Sequence, residues 1–129
     1  MGETISCILV DDHPAVLHAL HALLEADGIA VVALLGTGAA TLELRVDATV
    51  VVSDLTLPDM SGFDLARAIL AANPRRNVVL YTSFLSRRAI ADALEIGVRA
   101  IVLKESLGTH LPEAIRLVAA GGTYVDPGL

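Results

Sequence analysis

The chain has 129 residues, of which 54% are hydrophobic, and its formal net charge is −6. This length suits one domain with its own core, while the apolar runs fall far short of the roughly 20 residues that cross a membrane as a helix. Because the sequence shows no targeting segment, we expect a cytoplasmic domain that does not contact a membrane. Because it has no long basic run and only two Tyr and two Phe, we do not expect it to bind nucleic acid by itself.

Short β-branched runs alternate with segments of helical periodicity along the chain, which is typical of β-α-β units and a parallel sheet. Five strands are predicted, at 5–10, 30–35, 50–54, 77–82 and 99–104. Five helices are predicted, at 14–27, 38–46, 62–72, 86–96 and 109–120. Because the strands are continuously apolar, we expect helices on both faces of a doubly wound sheet, with ligands bound at the carboxyl ends of the strands.

The last residues differ in composition from the segments before them. The stretch "AAGGTYVDPGL" contains Gly and Pro, which predicts that the last helix ends near Gly121 and that an extended tail or linker follows. We therefore expect a domain over residues 1–122 and a tail over 123–129 that begins the linker to an output domain absent from this chain.

Polar side chains stand at the ends of four predicted strands. Asp11 and Asp12 follow the first strand, and Asp54 ends the third. Three acids in one crevice repel one another unless a cation lies between them, and carboxylate oxygens suit Mg²⁺ or Mn²⁺. Thr82 and Lys104, at the ends of the fourth and fifth strands, add a hydroxyl and an ammonium group. This combination supplies a nucleophile, a cation site and two donors, as phosphoryl transfer to a carboxylate requires.

Each of these residues also has an ordinary structural explanation. Asp11 and Asp12 could complement the dipole of the helix that follows them. Asp54 could form an Asx turn. Thr82 could be an ordinary strand residue, and Lys104 a solvated strand end. The coincidence of all five residues at four strand ends favours a phosphoryl-transfer site over these separate explanations.

Four segments resemble, in order, the signature segments of response-regulator receiver domains: "LVDDHP", "SDLTLPDMSGFDL", "VVLYTS" and "GVRAIVLKES". "DDHP" and "KES" are most similar to receivers of the NarL/FixJ group, which precede a LuxR-type DNA-binding domain. The resemblance implies a flavodoxin-like (CheY-like) α/β fold with a five-stranded parallel sheet of order 2-1-3-4-5 and five helices. It also implies a two-component switch that takes a phosphoryl group from a histidine kinase, catalyses only its own phosphorylation and dephosphorylation, and controls transcription.

The resemblance implies a role for each residue of the constellation. Asp54 would be the phosphoacceptor, and Lys104 and Thr82 would stabilise the phosphoryl group. Mg²⁺, or Mn²⁺ in its place, would be held by oxygens of four residues: Asp11, Asp12, Asp54 and, through its backbone carbonyl, Thr56. Pro58 and Gly62 would shape the loop after the acceptor. The signal would leave through the face formed by the last two helices and the strand between them.

Four positions are expected to set the switching behaviour. Thr82 would move on phosphorylation, but the aromatic residue that many receivers carry three positions before the lysine is Ile101 here. Ile101 would then report the Thr82 shift by repacking a smaller side chain. Thr56 and Phe84 flank the acceptor in this family and would control the access of water, so the bulky Phe84 predicts a long phosphoryl lifetime.

A sensor histidine kinase is the implied partner. In receivers the first helix carries much of the kinase contact, which makes Leu17, expected to be exposed, and His18 the candidates. His13, His18 and His21 fit a helix surface better than a soft-ligand metal site. A homodimer could form on phosphorylation, and DNA would be contacted only through an output domain that lies outside this chain.

Two other functions stay open. The chain could be a stand-alone receiver that acts by protein–protein interaction or as a phosphate sink. It could also be a phosphatase with an aspartyl nucleophile, but such enzymes usually carry a second acid two residues after the nucleophile. This chain has Thr56 at that position, which disfavours the phosphatase.

Overall fold

Runs of Val, Ile and Leu form the centre of the molecule, a computed structural model that describes residues 4–129. Six strands lie in one sheet: β1 (Ser6–Val10), β2 (Ala30–Leu35), β3 (Val50–Asp54), β4 (Asn77–Thr82), β5 (Ala100–Leu103) and β6 (Tyr124–Val125). All neighbouring strands are parallel, in the order β2-β1-β3-β4-β5-β6. The predicted order of the first five strands is therefore confirmed, and the fold is that of CheY-like receivers.

Five helices cover the two faces of this sheet: α1 (Pro14–Ala26), α2 (Gly38–Glu43), α3 (Gly62–Ala72), α4 (Arg87–Ile96) and α5 (Leu107–Ala119). A 3₁₀ turn over Lys104–Ser106 joins β5 to α5. Three glycines with positive φ end helices where the sequence predicts a stop: Gly28, Gly97 and Gly121. None of the helices in residues 4–129 has the length and hydropathy that a bilayer crossing requires.

The sheet has one short strand more than the five predicted, because part of the expected tail pairs with it. Tyr124 N donates to Arg99 O at 3.0 Å, and Asp126 N donates to Ile101 O at 2.9 Å. These bonds place β6 along the outer edge of β5. The Asp126 side chain is buried and accepts a further bond from Leu103 N at 3.1 Å. The chain after α5 is thus fixed to the sheet over these residues.

Two helix boundaries differ from the prediction by two residues or more. Helix α2 ends at Glu43 instead of near residue 46, because Leu44 already has an extended backbone with ψ of 133°. Helix α5 begins at Leu107, two residues earlier than predicted. Strand β5 ends at Leu103, so Lys104 lies in the 3₁₀ turn and not in the strand.

Alternating strand residues divide the core between the two faces of the sheet. Val50 and Val52 pack on the side of α1 and α5, together with Cys7, the single cysteine, and Tyr81. Val51 packs on the other side, with residues of α3 and α4. Burial of each such aliphatic side chain contributes about 1.5–3 kcal/mol relative to exposure. The strands at the centre of the sheet are therefore held rigidly, with their ends in fixed register.

The strand register brings the predicted polar residues to one edge. Val10 is opposite Ser53, Asp54 is opposite Tyr81, and Thr82 is opposite Leu103. The residues that end or directly follow β1, β3, β4 and β5 therefore stand side by side at the carboxyl edge of the sheet.

Candidate functional site

Three carboxylates meet at the carboxyl edge of the sheet. Asp11 is fully buried, Asp54 is 1% exposed, and Asp12 lies at the surface. One oxygen of each, together with a ring nitrogen of His13, lies within 4.8 Å of the others. Carboxylate oxygens at this spacing can share one hard divalent cation, which would offset the repulsion among the acids. The acids converge as their positions at strand ends predict.

Lys104 places a positive charge beside Asp54. Its Nζ lies 3.0 Å from Asp54 Oδ2, and its side chain is one-third exposed. The angles at this contact suit an ion pair but not a hydrogen bond. Within residues 4–129 the buried Oδ2 therefore has no hydrogen-bond partner. The other oxygen, Oδ1, accepts from Thr56 N at 3.2 Å. A buried carboxylate oxygen with unused acceptor capacity fits both a divalent cation and an attack on phosphorus.

Asp11 is held by two residues that the sequence reasoning did not assign to the site. Asp11 Oδ1 accepts from His13 N at 2.8 Å and from His13 Nδ1 at 2.7 Å. Asp11 Oδ2 accepts from the hydroxyl of Tyr81 in β4. His13 lies at the surface at the start of α1, as expected, but its ring also faces the acids, with Nδ1 3.2 Å from Asp12 Oδ1.

The acid cluster changes the proton affinity of both donors. The hydrogen bond to Asp11, followed by the charge of Asp12, raises the pKa of His13 above its usual 6.5. Burial and the bond to Asp11 raise the pKa of Tyr81 well above 10, so this phenol stays protonated and donates. The sequence signal for Tyr81 is a polar tip in an otherwise aliphatic strand, directly before Thr82.

The predicted switch residues Thr82 and Ile101 are buried, whereas Phe84 lies at the surface. Thr82 is 8% exposed, and its Oγ1 donates to the carbonyl of Phe84 at 3.2 Å. Ile101 is fully buried on the α3 and α4 side of the sheet. The Phe84 side chain is 78% exposed, so in this conformation it does not cover the acceptor. A Thr82 hydroxyl that turned toward Asp54 would have to leave the Phe84 carbonyl.

The loop between β3 and α3 is closed on itself behind Asp54. Thr56 and Ser61 form an antiparallel bridge, and Gly62 N donates to Leu55 O at 2.6 Å. A Cβ atom at Gly62 would lie 2.7 Å from Asp54 O and 2.8 Å from Leu55 Cα. Only glycine fits so close a backbone approach, which agrees with the predicted loop-shaping role of Gly62.

Asp59 fastens the same loop to α2. Its Oδ1 accepts from Gly38 N and its Oδ2 from Ala39 N, each at 2.9 Å. These backbone hydrogen bonds lower the pKa of the Asp59 carboxyl. Asp59 is exposed to solvent, and its contact with α2 has no local sign in the sequence.

The first helix exposes only one of the two candidate kinase-contact residues. The expectation that Leu17 is exposed is wrong, since it is 9% exposed and packs in the core with Leu20 and Leu24. These three residues follow the spacing i, i+3 and i+7, which puts them on one stripe of the helix. His18 lies at the surface.

Comparison with known proteins agrees with this geometry. A family model, the response regulator receiver domain, matches residues 7–116. The transcriptional regulatory protein MctR of Rhizobium johnstonii is 33% identical over 128 residues, which cover 97% of this chain and 60% of MctR. The DNA-binding transcriptional activator DevR/DosR of Mycobacterium tuberculosis is 36% identical over 126 residues, which cover 95% of this chain and 58% of that protein.

A solved structure extends the comparison to the fold. The crystal structure of a LuxR-family two-component response regulator from Aurantimonas sp. SI85-9A1 superposes with a TM-score of 0.92 at 30% identity, covering 98% of this chain and 92% of that one. The chain spans about 60% of the length of the curated relatives named above. Since the family model covers most of the sequence and both relatives are more than 30% identical over nearly the whole chain, the chain belongs to the response-regulator receiver family.

Proposed function

We propose that this receiver domain accepts a phosphoryl group on Asp54 from a sensor histidine kinase, in a Mg²⁺-dependent reaction, and relays the change to its α4-β5-α5 face. One observation carries the proposal. The buried Asp54 Oδ2 lies 3.0 Å from Lys104 Nζ, beside a cluster of acids whose oxygens are close enough to share a cation. Few arrangements other than phosphoryl transfer use an acceptor carboxylate, a lysine and a hard-cation site together.

The acid cluster suits Mg²⁺, and Mn²⁺ would use the same oxygens. The proposed ligands are the carboxylates of Asp11, Asp12 and Asp54 and the backbone carbonyl of Thr56. A bound cation would neutralise the acids and the oxygens of the incoming phosphoryl group. Asp11 is fixed by His13 and Tyr81, whereas Asp12 is exposed and would approach a cation from the solvent side.

The chain's own residues supply the switch. A phosphoryl group on Asp54 would bring nearly two negative charges and three acceptor oxygens, to which Lys104 Nζ is already adjacent. Thr82 would leave the carbonyl of Phe84 to donate to the phosphoryl group. Charge-assisted hydrogen bonds contribute about 1.5–3 kcal/mol each, and the bond that Thr82 gives up about 0.5–1.5. Reversing a 1:99 equilibrium between the active and inactive conformations takes roughly 5.5 kcal/mol. The net gain approaches this value only if both new bonds are near the upper end of their range.

We propose that the change leaves through Ile101 and α4. Ile101 is fully buried on the side of the sheet where α4 packs, so a shift of Thr82 would be passed on by repacking of this aliphatic side chain. On the outer face of α4, Arg87, Arg88 and Asp92 are exposed. They are available for a contact in a homodimer formed on phosphorylation or with an output domain.

The relatives suggest the wider setting. MctR is named a transcriptional regulatory protein and DevR/DosR a DNA-binding transcriptional activator, and this chain matches about 60% of each. We propose that residues 1–122 form the body of the receiver of a transcription regulator and that 123–129, which bind to its sheet through β6 and Asp126, lead into the linker. DNA would be contacted only by the output domain. Response regulators usually work in the cytoplasm, and we place this one there. Its catalysis would be limited to its own phosphorylation and dephosphorylation.

The proposal is tested by following backbone amide shifts of the ¹⁵N-labelled domain on addition of beryllofluoride with Mg²⁺. Acetyl phosphate followed by a phosphate-affinity gel gives a second readout. We expect shifts at Thr82, Lys104 and α4 and a retarded band, and neither response in Asp54→Ala. An unresponsive wild-type domain, or an equal response from Asp54→Ala, would overturn the proposal.

A further inference from the structure

Tyr81 is a core residue that lies beside both Asp11 and Lys104. Its side chain is 1% exposed, and its hydroxyl donates to Asp11 Oδ2, on a residue 70 positions away in the sequence. Lys104 Nζ lies 6.0 Å from the centre of the same ring, within the range of a cation–π contact. One aromatic side chain therefore touches both an acid of the cation cluster and the lysine that pairs with Asp54.

The hydroxyl of Tyr81 donates to the carboxylate oxygen of Asp11 that His13 does not contact. His13 occupies Asp11 Oδ1 through both its backbone N and its Nδ1, and Tyr81 occupies Oδ2. Asp11 is fully buried, so without these donors its charge would lie in the protein interior with no compensation from water. In the cation-free domain Tyr81 thus stabilises a charge that a bound cation would otherwise stabilise.

A hydrogen bond to a carboxylate is strongest when the carboxylate carries its full charge. A divalent cation shared by the acids draws that charge toward itself, which weakens the bond from Tyr81. The phenol therefore stabilises the cation-free domain more than the cation-bound domain. By linkage, a group that favours the free state lowers the affinity for the ligand.

We infer that the hydroxyl of Tyr81 is a positioning group that opposes divalent-cation binding: it holds Asp11 in the free domain and thereby weakens the affinity of the acid cluster for Mg²⁺. The inference rests on the cation site of the proposed function and adds the residue that sets its affinity. A buried tyrosine that merely satisfies its own hydroxyl would fill the core equally well but would leave Mg²⁺ affinity unchanged.

The test compares two variants that each lose one phenolic oxygen. Tyr81→Phe removes the hydroxyl at Asp11, and Tyr124→Phe removes the only other tyrosine hydroxyl, on β6. Mg²⁺ dissociation constants are measured by calorimetric titration, and melting temperatures are recorded in EDTA and in saturating Mg²⁺. We expect Tyr81→Phe to bind Mg²⁺ about fivefold more tightly, or roughly 1 kcal/mol. It should melt lower than wild type in EDTA, with a smaller deficit in Mg²⁺, while Tyr124→Phe keeps the wild-type affinity.

A spectroscopic readout follows from the composition. The chain has no tryptophan, so Tyr124→Phe leaves Tyr81 as the only source of tyrosine emission. A carboxylate acceptor quenches phenol emission, and we expect the emission of this variant to rise as Mg²⁺ draws charge from Asp11.

The outcomes separate the two proposals. If wild type binds Mg²⁺ but Tyr81→Phe binds it equally or more weakly, the role of Tyr81 is refuted and the cation site stands. Constant emission from Tyr124→Phe through the Mg²⁺ titration would likewise count against Tyr81. If wild type shows no Mg²⁺ binding by either method, the cation site is refuted, and the role of Tyr81 falls with it.

Discussion

Asp126 attaches the end of the domain to β5, and we expect its substitution to lower the free energy of unfolding. The side chain is 2% exposed. Its Oδ2 accepts from Leu103 N and His110 Nδ1, each at 3.1 Å, and its Oδ1 accepts from Gly128 N at 2.9 Å. The carboxylate thereby joins β5, α5 and the chain after β6.

The size of the effect follows from what Asp126→Ala leaves behind. The N–H of Leu103 would be buried without a partner, which costs about 1–3 kcal/mol. The lost bonds to His110 and Gly128 add about 0.5–1.5 kcal/mol each, less where water replaces the carboxylate. We therefore expect the free energy of unfolding to fall by about 2–4 kcal/mol. We also expect amide exchange at Leu103 to quicken by more than at β3.

Urea denaturation followed by circular dichroism measures the change, with Asp47→Ala as the control. Asp47 is an exposed acid in the loop before β3, so this variant removes the same charge without a buried partner. If Asp126→Ala stays within about 0.5 kcal/mol of the Asp47 control, the range of ordinary surface substitutions, the fastening role of Asp126 is wrong.

The pH dependence gives an independent check. Burial alone would raise the pKa of Asp126, but the hydrogen bonds from Gly128, Leu103 and His110 prevail and lower it below the usual 3.8. A carboxyl with a lowered folded-state pKa contributes stability at higher pH, and this is lost as the pH falls through the folded-state pKa. The stability gap between wild type and Asp126→Asn should therefore be constant near neutral pH and shrink below about pH 4.

Three further predictions concern the site and its loop. Lys104→Ala should leave the buried Asp54 without its ion-pair partner and lower the unfolding free energy, measured by urea denaturation, by about 1–3 kcal/mol, since solvent already screens the one-third exposed lysine. The same variant should lose the amide shifts that beryllofluoride causes in NMR spectra. Asp59→Asn should loosen the contact with α2: because the Asp59 pKa is lowered, the wild-type advantage in melting temperature should hold near neutral pH and vanish as the pH falls below about 4. Phe84→Asn should shorten the phosphoryl lifetime followed by loss of the retarded gel band, if the aromatic ring folds over the site when Thr82 releases the Phe84 carbonyl; an equal or longer lifetime would contradict this.

The sheet could be predicted because its strands carry strong local signals. The β-branched runs at β3 and β4 give the observed boundaries to the residue, and continuous apolar character implies parallel strands with aligned carboxyl ends. From that alignment the convergence of Asp11, Asp54 and Lys104 follows without knowledge of any side-chain contact.

The missed features depend on contacts between distant segments. β6 has two residues, too few for any periodicity, and it exists because its backbone bonds to β5. Asp59 and Tyr81 contact residues about 20 and 70 positions away, and no local pattern encodes such pairs. The wrong assignment of Leu17 arose because alanines on both sides of the apolar stripe of α1 leave its rotation ambiguous from the sequence.

The two residues of β6 also have a protective consequence. They occupy the outer edge of β5, where backbone N–H and C=O groups would otherwise be open to pairing with a strand of another molecule. β6 is itself a poor template, since it is only two residues long and Pro127 follows Asp126. A recombinant domain cut after Gly122 would therefore present the apolar β5 as an open edge, and its first defect would be aggregation.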